Sequence, residues 1–198
     1  NSAESTVSKL DTITGKELAR YAVCSDPSRT AVDKNGDCWL GCRGDGRVMK
    51  ITNFVENCAD KNGNGVVETS VDANGDGSIT PDEMVPNDEC IAIDTQPTGG
   101  DLVRGIGIDN NNYPWIGMWS GMQVIQLHPD TGAVQQSYNV GVNPYGLAVD
   151  KNNNVWVAGR GGSKLVKLTP GGSITPYSPP SGGFDPYGIT VDLNGDVW

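Results

Sequence analysis

The chain has 198 residues with a hydrophobic content of 36%, and its 27 Gly and 12 Pro are typical of an all-β protein with many turns. The formal net charge is −10 and the basic residues do not cluster, which argues against a nucleic-acid partner. No apolar run reaches the ~18 residues of a membrane span, so the sequence predicts no transmembrane segment. Because the chain begins with Asn1 rather than Met, we expect either a mature form or an excised fragment.

The first predicted elements are two strands within residues 7–21, joined by a Thr-Gly turn. A hairpin follows at Asp33, because the Asp-x-Asn-Gly residues there tolerate the positive φ of a tight turn. The strand–turn–strand pattern of residues 7–21 returns at residues 122–138 and 163–178. The hairpin pattern returns three times, and in all four copies a Trp follows the Asp by six positions, in the pairs Asp33 and Trp39, Asp109 and Trp115, Asp150 and Trp156, and Asp192 and Trp198.

The spacing of the hairpins indicates an internal repeat. The four Asp residues are separated by 76, 41 and 42 positions, and the first interval is long because it contains an acidic segment. Without that segment the period is about 42 residues, with four short strands in each unit. This period and strand number predict the blades of a β-propeller, which must stack to bury their faces. We expect the four Trp side chains to lie in the core between blades.

Residues 56–90 form the acidic segment, with nine acids and one base that account for −8 of the net charge. Residues 72–83 match the twelve-residue calcium loop of EF-hands, with Gly77 at the sharp turn and Glu83 at position 12. An earlier copy begins at Asp60 but has Val71 at position 12, so we expect Glu68 or Asp72 to complete a weaker site. The predicted ligands of one or two Ca²⁺ ions are Asp72, Asn74, Asp76, Ser78, Thr80 and Glu83, and in the earlier loop Asp60, Asn62, Asn64, Val66 and Glu68.

The two loops follow each other without room for the helices of an EF-hand pair, and they resemble dockerin-like or thrombospondin type 3-like calcium repeats. The alternative is a solvated acidic loop that binds no metal. Five Cys residues lack the spacing of a zinc site. We expect a Cys58–Cys90 disulfide at the base of the segment and a Cys24–Cys42 disulfide between adjacent strand ends, which leaves Cys38 free; the alternative is five reduced thiols.

The propeller repeat resembles a known family. In chain order, the pattern consists of a Pro-x-Gly turn, an apolar pair, Val-Asp-x-Asn, a Val-Trp pair, a Lys-Leu strand and a Gly turn. This order is similar to the repeat of streptogramin-lyase-type (virginiamycin B lyase-like) propellers, which are related to NHL-repeat propellers. The pattern is fullest in residues 144–168, and the resemblance covers nearly the whole chain except the acidic segment. The resemblance implies a propeller and says little about activity, because this fold hosts many roles.

The lyases of that family use a His with acidic residues and magnesium, as the resemblance implies. The single His of this chain, His128, lies in a predicted turn, and no matching His-plus-Glu arrangement is visible. We therefore assign no catalytic residue and expect a protein that is not an enzyme.

The predicted organisation assigns residues 1–55 and 91–198 to the propeller and residues 56–90 to a calcium-binding insertion within the first complete blade. The propeller part consists of half a blade, three blades and another half blade. The two halves would also complete a closed ring of four blades. We favour a partial propeller, because the family usually has six or seven blades and because the strand of Trp198 stops short of its counterpart after Trp156.

One end of the propeller is a candidate ligand face. The start of the first strand and the end of the second strand of each blade emerge on the same side, and Arg and aromatic residues occupy these positions. Either they bind a protein or carbohydrate ligand, or they are ordinary loop packing. The residues are Arg29, Arg43, Arg104, Trp119, Tyr145, Arg160 and Tyr187.

These features together predict a secreted or cell-surface, calcium-stabilised β-propeller that acts in binding, recognition or extracellular assembly. One alternative is a lyase-like propeller enzyme whose catalytic blades lie outside this chain. Another is a structural subunit of an extracellular polymer.

Overall fold

A computed structural model describes residues 1–178 and 185–198 of the chain. These residues form fourteen strands and two single-turn 3₁₀ helices, Val55–Asn57 and Pro81–Glu83. Neither of these helices is long and apolar enough to cross a bilayer. The strands are β1 (Thr6–Leu10), β2 (Glu17–Ala22), β3 (Pro27–Val32), β4 (Cys38–Cys42), β5 (Val48–Ile51), β6 (Ile91–Thr95), β7 (Val103–Ile108), β8 (Pro114–Met118), β9 (Gln123–Leu127), β10 (Val134–Asn139), β11 (Asn143–Val149), β12 (Val155–Arg160), β13 (Lys164–Leu168) and β14 (Ile174–Tyr177).

The strands form three four-stranded antiparallel sheets and one two-stranded sheet. Each four-stranded sheet is a meander in chain order, β3 to β6, β7 to β10 and β11 to β14, while β1 and β2 pair with each other. The first strands of successive sheets lie side by side, β3 next to β7 and β7 next to β11, and are therefore the innermost strands. The predicted all-β class with four-stranded propeller blades is confirmed.

The Asp of each repeat organises its hairpin with both carboxylate oxygens. Oδ1 of Asp33 accepts hydrogen bonds from the backbone N–H groups of Asn35 and Asp37, at 2.9 and 3.1 Å. Oδ2 accepts a hydrogen bond from the indole Nε1 of Trp39 at 3.1 Å. The same indole bond recurs at 3.0, 3.0 and 3.2 Å in the other three repeats. The six-residue spacing of Asp and Trp thus brings the indole N–H within hydrogen-bond distance of the turn carboxylate in every repeat.

The cores lie between adjacent sheets. Trp39 and Trp115 are buried in two of these cores, as the repeat predicts. The prediction is wrong for the other two Trp residues, since Trp156 is half-buried and Trp198 is 76% exposed. The reason is that no further blade packs against them within the part of the chain that the structure describes.

The two strands predicted after Tyr187 are reduced to one antiparallel bridge, Val191 with Val197. In the preceding blade, the residues before the Asp turn pair with those that follow Trp156 up to Arg160. The given sequence ends at Trp198, so the corresponding partners are not present in it. Residues 185–198 also do not pair with β1 or β2, and the described chain therefore does not close a ring through a shared blade.

Candidate calcium loops and an arginine–aromatic cluster

The loop of residues 72–83 turns its side-chain oxygens toward its own backbone. Oδ1 of Asp72 accepts a hydrogen bond from the N–H of Gly75 and Oδ2 accepts one from Gly77, each at 2.8 Å. Both Gly residues have positive φ, +76° and +92°, which a side chain would oppose. Glu83 closes the loop, because its Oε1 accepts from the N–H of Ala73 at 3.1 Å and its Oε2 from that of Thr80 at 2.9 Å.

The loop that begins at Asp60 has the same geometry and a closing residue that the sequence analysis missed. The Asp60 carboxylate accepts from the N–H groups of Gly63 and Gly65, each at 2.7 Å. Glu89 then takes the place that Glu83 takes in the other loop, since its Oε1 accepts from Lys61 N–H and its Oε2 from Glu68 N–H, each at 2.8 Å.

The two residues expected to complete the earlier loop have other roles. Asp72 opens the following loop. Glu68 points at the earlier loop, where its carboxylate accepts from the side-chain amides of Asn62 and Asn64 at 3.0 and 3.3 Å. A signal for Glu89 exists in the sequence, because it directly precedes Cys90, and a Cys58–Cys90 disulfide brings it beside the loop start.

Both closing carboxylates have lowered pKa values. The N–H of Thr80 is the main cause for Glu83, and the N–H of Glu68 is the main cause for Glu89, because a donated hydrogen bond favours the ionised form. The two groups are thus fully charged at neutral pH, as metal ligands need to be.

The donor set of both loops consists of carboxylate, amide, hydroxyl and backbone oxygens, which are the ligands of hard cations such as Ca²⁺. A carboxylate has about four lone-pair positions, so the hydrogen bonds to backbone N–H groups leave acceptor capacity for a cation. Within the described residues, the three donors from Cys, His, Asp or Glu that lie within 4.8 Å of one another are Cys24, Cys42 and Asp45. That group is not a metal site, because its two sulfurs are bonded to each other. Among the described residues, no three loop carboxylates lie this close to one another.

The insertion is fixed to the neighbouring two-stranded sheet. Ile79, at position 8 of its loop, is fully buried, and its N–H donates to Oε2 of Glu17 at 2.6 Å. The N–H of Glu17 donates to the carbonyl of Gly77 at 3.0 Å, and the guanidinium of Arg20 donates to the carbonyl of Ile79 at 3.3 Å. The loop thereby covers the outer strand β2 and adds hydrogen bonds between the two-stranded sheet and the blade that carries the insertion.

Two disulfides are present. Cys58–Cys90 joins the two ends of the insertion, with Cα atoms 4.8 Å apart. Cys24–Cys42 joins the segment before β3 to the end of β4, with Cα atoms 5.9 Å apart. Cys38 is free, and burial raises the pKa of its thiol to about 11. This thiol is therefore protonated at neutral pH and is a poor nucleophile.

Three guanidinium groups from three different blades surround one tyrosine ring. Those of Arg29, Arg104 and Arg160 lie 4.9, 4.4 and 5.2 Å from the ring centroid of Tyr145. Arg104 also donates a hydrogen bond to the Tyr145 hydroxyl at 2.7 Å. Burial acts to raise the pKa of Tyr145, but hydrogen bonds from Tyr187 and Arg29 and the charges of Arg104 and Arg29 outweigh it, so this pKa lies below its usual value.

Two more aromatic rings complete the group. The ring of Tyr187 lies 4.1 Å from that of Tyr145, and the indole of Trp119 meets Tyr145 edge-on at 5.6 Å. We call this group the arginine–aromatic cluster; it consists of Arg29, Arg104, Trp119, Tyr145, Arg160 and Tyr187. Arg43, predicted for the same face, pairs instead with Asp26. The structure therefore brings all the predicted face residues except Arg43 into one group.

The cluster lies at one end of the inner strands because of the repeat register. Arg29 pairs with Gly41 across β3 and β4, and the equivalent pair in the next blade is Gly105 with Gly117. Arg29 thus stands where the following blades have glycine, which is needed there because a Cβ on Gly105 would lie 2.8 Å from a Leu147 side-chain carbon. The space beside it is a cavity of about 240 Å³, lined by Arg29, Thr30, Gly105, Gly146, Tyr187 and Gly188 among others.

The positive charge of the cluster is only partly balanced. Arg160 forms an ion pair with Asp185 at 3.3 Å. Within residues 1–178 and 185–198, neither Arg29 nor Arg104 has a carboxylate oxygen within 4.0 Å, and residues 179–184 contain no acid. The hydrogen bonds that Arg29 donates to Ser28 go to neutral acceptors, its carbonyl and hydroxyl oxygens.

His128 lies away from this group, in the turn between β9 and β10. Its Nδ1 accepts a hydrogen bond from the N–H of Asp130 at 3.2 Å, and its ring meets Tyr113 edge-on. The turns between these strands are at the opposite end of the blade from the arginine–aromatic cluster. In the described structure, His128 therefore stabilises the turn in which it lies.

The stacked four-stranded meanders define the class of this protein as a β-propeller, and solved structures agree. No protein family and no curated protein matches the chain at the level of sequence. A virginiamycin B lyase from Staphylococcus aureus superposes with a TM-score of 0.71 and 17% identity, over 100% of this chain and 56% of that one. A streptogramin B lyase gives a TM-score of 0.55 and 19% identity, over 100% of this chain and 70% of that one.

A second kind of propeller is similarly close. The WD40 β-propeller domain of Doa1 superposes with a TM-score of 0.68 and 12% identity, over 98% of this chain and 53% of that one. This chain therefore spans little more than half of the virginiamycin B lyase chain and little more than half of the Doa1 chain. At these identities the likeness shows the fold alone.

Proposed function

We propose that this protein is a calcium-stabilised β-propeller that acts in recognition, with the arginine–aromatic cluster as its ligand-binding face. The observation that carries the proposal is the convergence of Arg29, Arg104 and Arg160 from three blades on the ring of Tyr145. Arg and Tyr are the residues that most often dominate binding energy at recognition surfaces. Placing two guanidiniums without carboxylate partners in a half-buried site costs solvation, and a ligand that supplies acceptors offsets this cost.

The proposal assigns two Ca²⁺ ions to the insertion. Asp72, Asn74, Asp76 and Glu83, with backbone oxygen at Ser78, would hold one ion, and Asp60, Asn62, Asn64 and Glu89, with backbone oxygen at Val66, would hold the other. The identical hydrogen bonds of Glu83 and Glu89 support this pairing. When bound, the ions supply charge balance and crosslinks between ligands.

A structural role for calcium follows from the charge and the contacts of the insertion. The segment carries −8 within 35 residues, and these carboxylates repel one another unless a cation balances them. Ile79 of the segment is fully buried, and its backbone N–H and carbonyl form hydrogen bonds with the side chains of Glu17 and Arg20 in the neighbouring blade. Calcium that orders the loops would therefore also hold the two blades together.

The proposed setting is extracellular or cell-surface. The two disulfides support it, because such bonds persist in oxidising compartments. Calcium is abundant in the same compartments, and the weaker class of calcium sites is used there.

Recognition at the cluster is tested by comparing variants against a broad panel of immobilised glycans and secreted proteins. Arg104→Ala should abolish the ligand signal, while Arg43→Ala should retain it, because Arg43 pairs with Asp26 outside the cluster. Equal signals from the wild type and the Arg104 variant for every ligand on the panel would contradict a recognition role for this face.

A lyase-like enzyme is the second candidate, favoured by the superposition on virginiamycin B lyase. In this case the catalytic residues would lie outside the 198 residues, since no His accompanies the cluster in the described chain. Incubation of the natural full-length protein with a streptogramin B antibiotic, followed by mass spectrometry, separates the candidates. A ring-opened product would establish the enzyme, and an unchanged antibiotic would favour recognition.

A further inference from the structure

We infer that the ligand of the arginine–aromatic cluster is an acidic saccharide, whose carboxylate lies between the guanidiniums of Arg29 and Arg104 and whose sugar ring packs on the exposed tyrosine. This inference rests on the recognition function proposed above and names the chemical class of its ligand.

The charge of the site selects an anion. Arg29 and Arg104 lie 4.9 and 4.4 Å from the Tyr145 ring centroid, so both positive charges border the same ring, and neither has a carboxylate partner in the described structure. A guanidinium presents parallel N–H donors that match the two oxygens of a carboxylate. An anion between them relieves the repulsion of two like charges and gains several charge-assisted hydrogen bonds.

The net charge of −10 does not cancel this local field. Residues 56–90 carry −8, and they leave the sheet after β5 and return at β6, at the end of the blade opposite to the start of β3. The insertion also packs on β2, an outer strand, whereas Arg29 and Arg104 lie on the innermost strands. Screening further weakens repulsion between an anion and the distant insertion, since the Debye length is about 8 Å at physiological ionic strength.

The shape of the site selects one ring-sized group rather than an extended polymer backbone. The cavity beside Arg29 has about 240 Å³, below the roughly 300–1,000 Å³ of sites for drug-sized ligands, so it accepts a group of about one sugar unit. Gly105, Gly146 and Gly188 line it, and a Cβ at Gly188 would meet no atom within 4 Å, so the lining is open at that residue.

The aromatic rings favour a saccharide over a simple anion. Tyr187 is 56% exposed and its ring lies next to Tyr145, so it offers an apolar face and a hydroxyl to a ligand at the cavity mouth. Rings of this kind combine apolar contact with a polar edge, which suits a sugar with its hydroxyl groups and C–H faces. Trp119 adds a half-buried ring that meets Tyr145 edge-on.

The experiment is isothermal titration of the calcium-loaded protein with a uronic-acid trisaccharide and with its neutral counterpart. We expect the uronate to bind and the neutral sugar to bind at least about tenfold more weakly, because losing charge-assisted hydrogen bonds costs more than 1.4 kcal/mol. Rising salt should weaken uronate binding. Sulfate ion, a sulfated disaccharide and an acidic tripeptide serve as competing anions.

Variants keep the test specific. Arg29→Gly inserts the residue that the next three repeats have at this position, so we expect folding with at least about tenfold weaker uronate binding. Arg43→Ala is the matched control and should bind as the wild type does. Thermal unfolding of each variant checks that the fold is retained.

The outcomes are distinguishable. Equal binding of uronate and neutral sugar, no uronate binding, or uronate binding that Arg29→Gly leaves unchanged would overturn the acidic-saccharide inference. If the sulfated disaccharide or the acidic peptide binds instead, and Arg104→Ala abolishes that binding, the recognition function stands while the saccharide class is wrong. If Arg104→Ala changes no binding at all, the recognition function itself fails.

Discussion

Glu89 closes the loop that begins at Asp60, although 29 positions separate the two residues. Its carboxylate accepts hydrogen bonds from Lys61 and Glu68, the counterparts of those that Glu83 accepts from Ala73 and Thr80. The consecutive loops are therefore completed differently, one by its own twelfth residue and the other from beyond the second loop. This relationship gives the first prediction.

Glu89→Gln should remove one calcium site and Glu83→Gln the other. Each closing carboxylate would be a bidentate ligand, and an amide offers one neutral oxygen instead. Calcium titration by calorimetry should give two ions for the wild type and one for each variant. Glu56→Gln removes an equal charge outside both loops and should leave two ions bound, whereas loss of binding in this control would point to charge density rather than loop geometry.

Asp109→Ala should destabilise the protein by about 3 kcal/mol, since it removes the acceptor of the Trp115 indole bond and leaves a buried donor unpaired. Denaturant unfolding monitored by fluorescence measures the change. The matched variant is Asp192→Ala, whose partner Trp198 is 76% exposed and can bond to water. We expect Asp192→Ala to lower the free energy of unfolding by less than about 1 kcal/mol. Equal losses of stability in the two variants would contradict the role of indole burial.

Stability should fall in acid as the closing carboxylates take up protons. The pKa values of Glu83 and Glu89 are lowered from a usual 4.5 by donated backbone N–H bonds, so these groups stabilise the folded state above that pH. Their contribution is lost as the pH falls through the lowered values. Melting temperatures measured in chelator from pH 7 to pH 3 should drop below about pH 4.5, and Glu89→Gln should reduce that drop. A Glu89→Gln profile that matches the wild type would exclude this carboxylate as a contributor.

Cys38 should resist thiol reagents in the folded protein. Burial raises its pKa to about 11, so at pH 8 almost no thiolate is present. A colorimetric thiol titration should report no rapid reaction in buffer and one thiol per chain in denaturant. Two or more rapidly reacting thiols in buffer would instead indicate that a disulfide is absent.

Much of the fold follows from the 42-residue register, because strands and turns of a repeat are set by local patterns that recur. The Asp turns and the four-stranded sheets come directly from those patterns. The exposure of Trp198 does not, since burial depends on whether another blade packs against a strand, which the residues of the strand itself do not encode.

The candidate sites show the same division. Strand ends place Arg104, Tyr145 and Arg160 on one face, and the structure groups them as that reasoning expects. Arg43 has an equivalent position but turns to Asp26, a local ion pair that strand geometry does not reveal. Glu89 was missed because a ligand from beyond the loop depends on the path of the chain, which the Cys58–Cys90 disulfide sets.

Whether calcium stabilises this propeller is tested most directly by thermal unfolding of the intact chain in chelator and in increasing free calcium. Two ions at a hundredfold excess over their Kd should each contribute about 2.7 kcal/mol, so the melting temperature should rise steadily with calcium and the rise should be roughly halved in Glu83→Gln or Glu89→Gln. A melting temperature that is the same in chelator and in millimolar calcium would contradict the calcium-stabilised propeller.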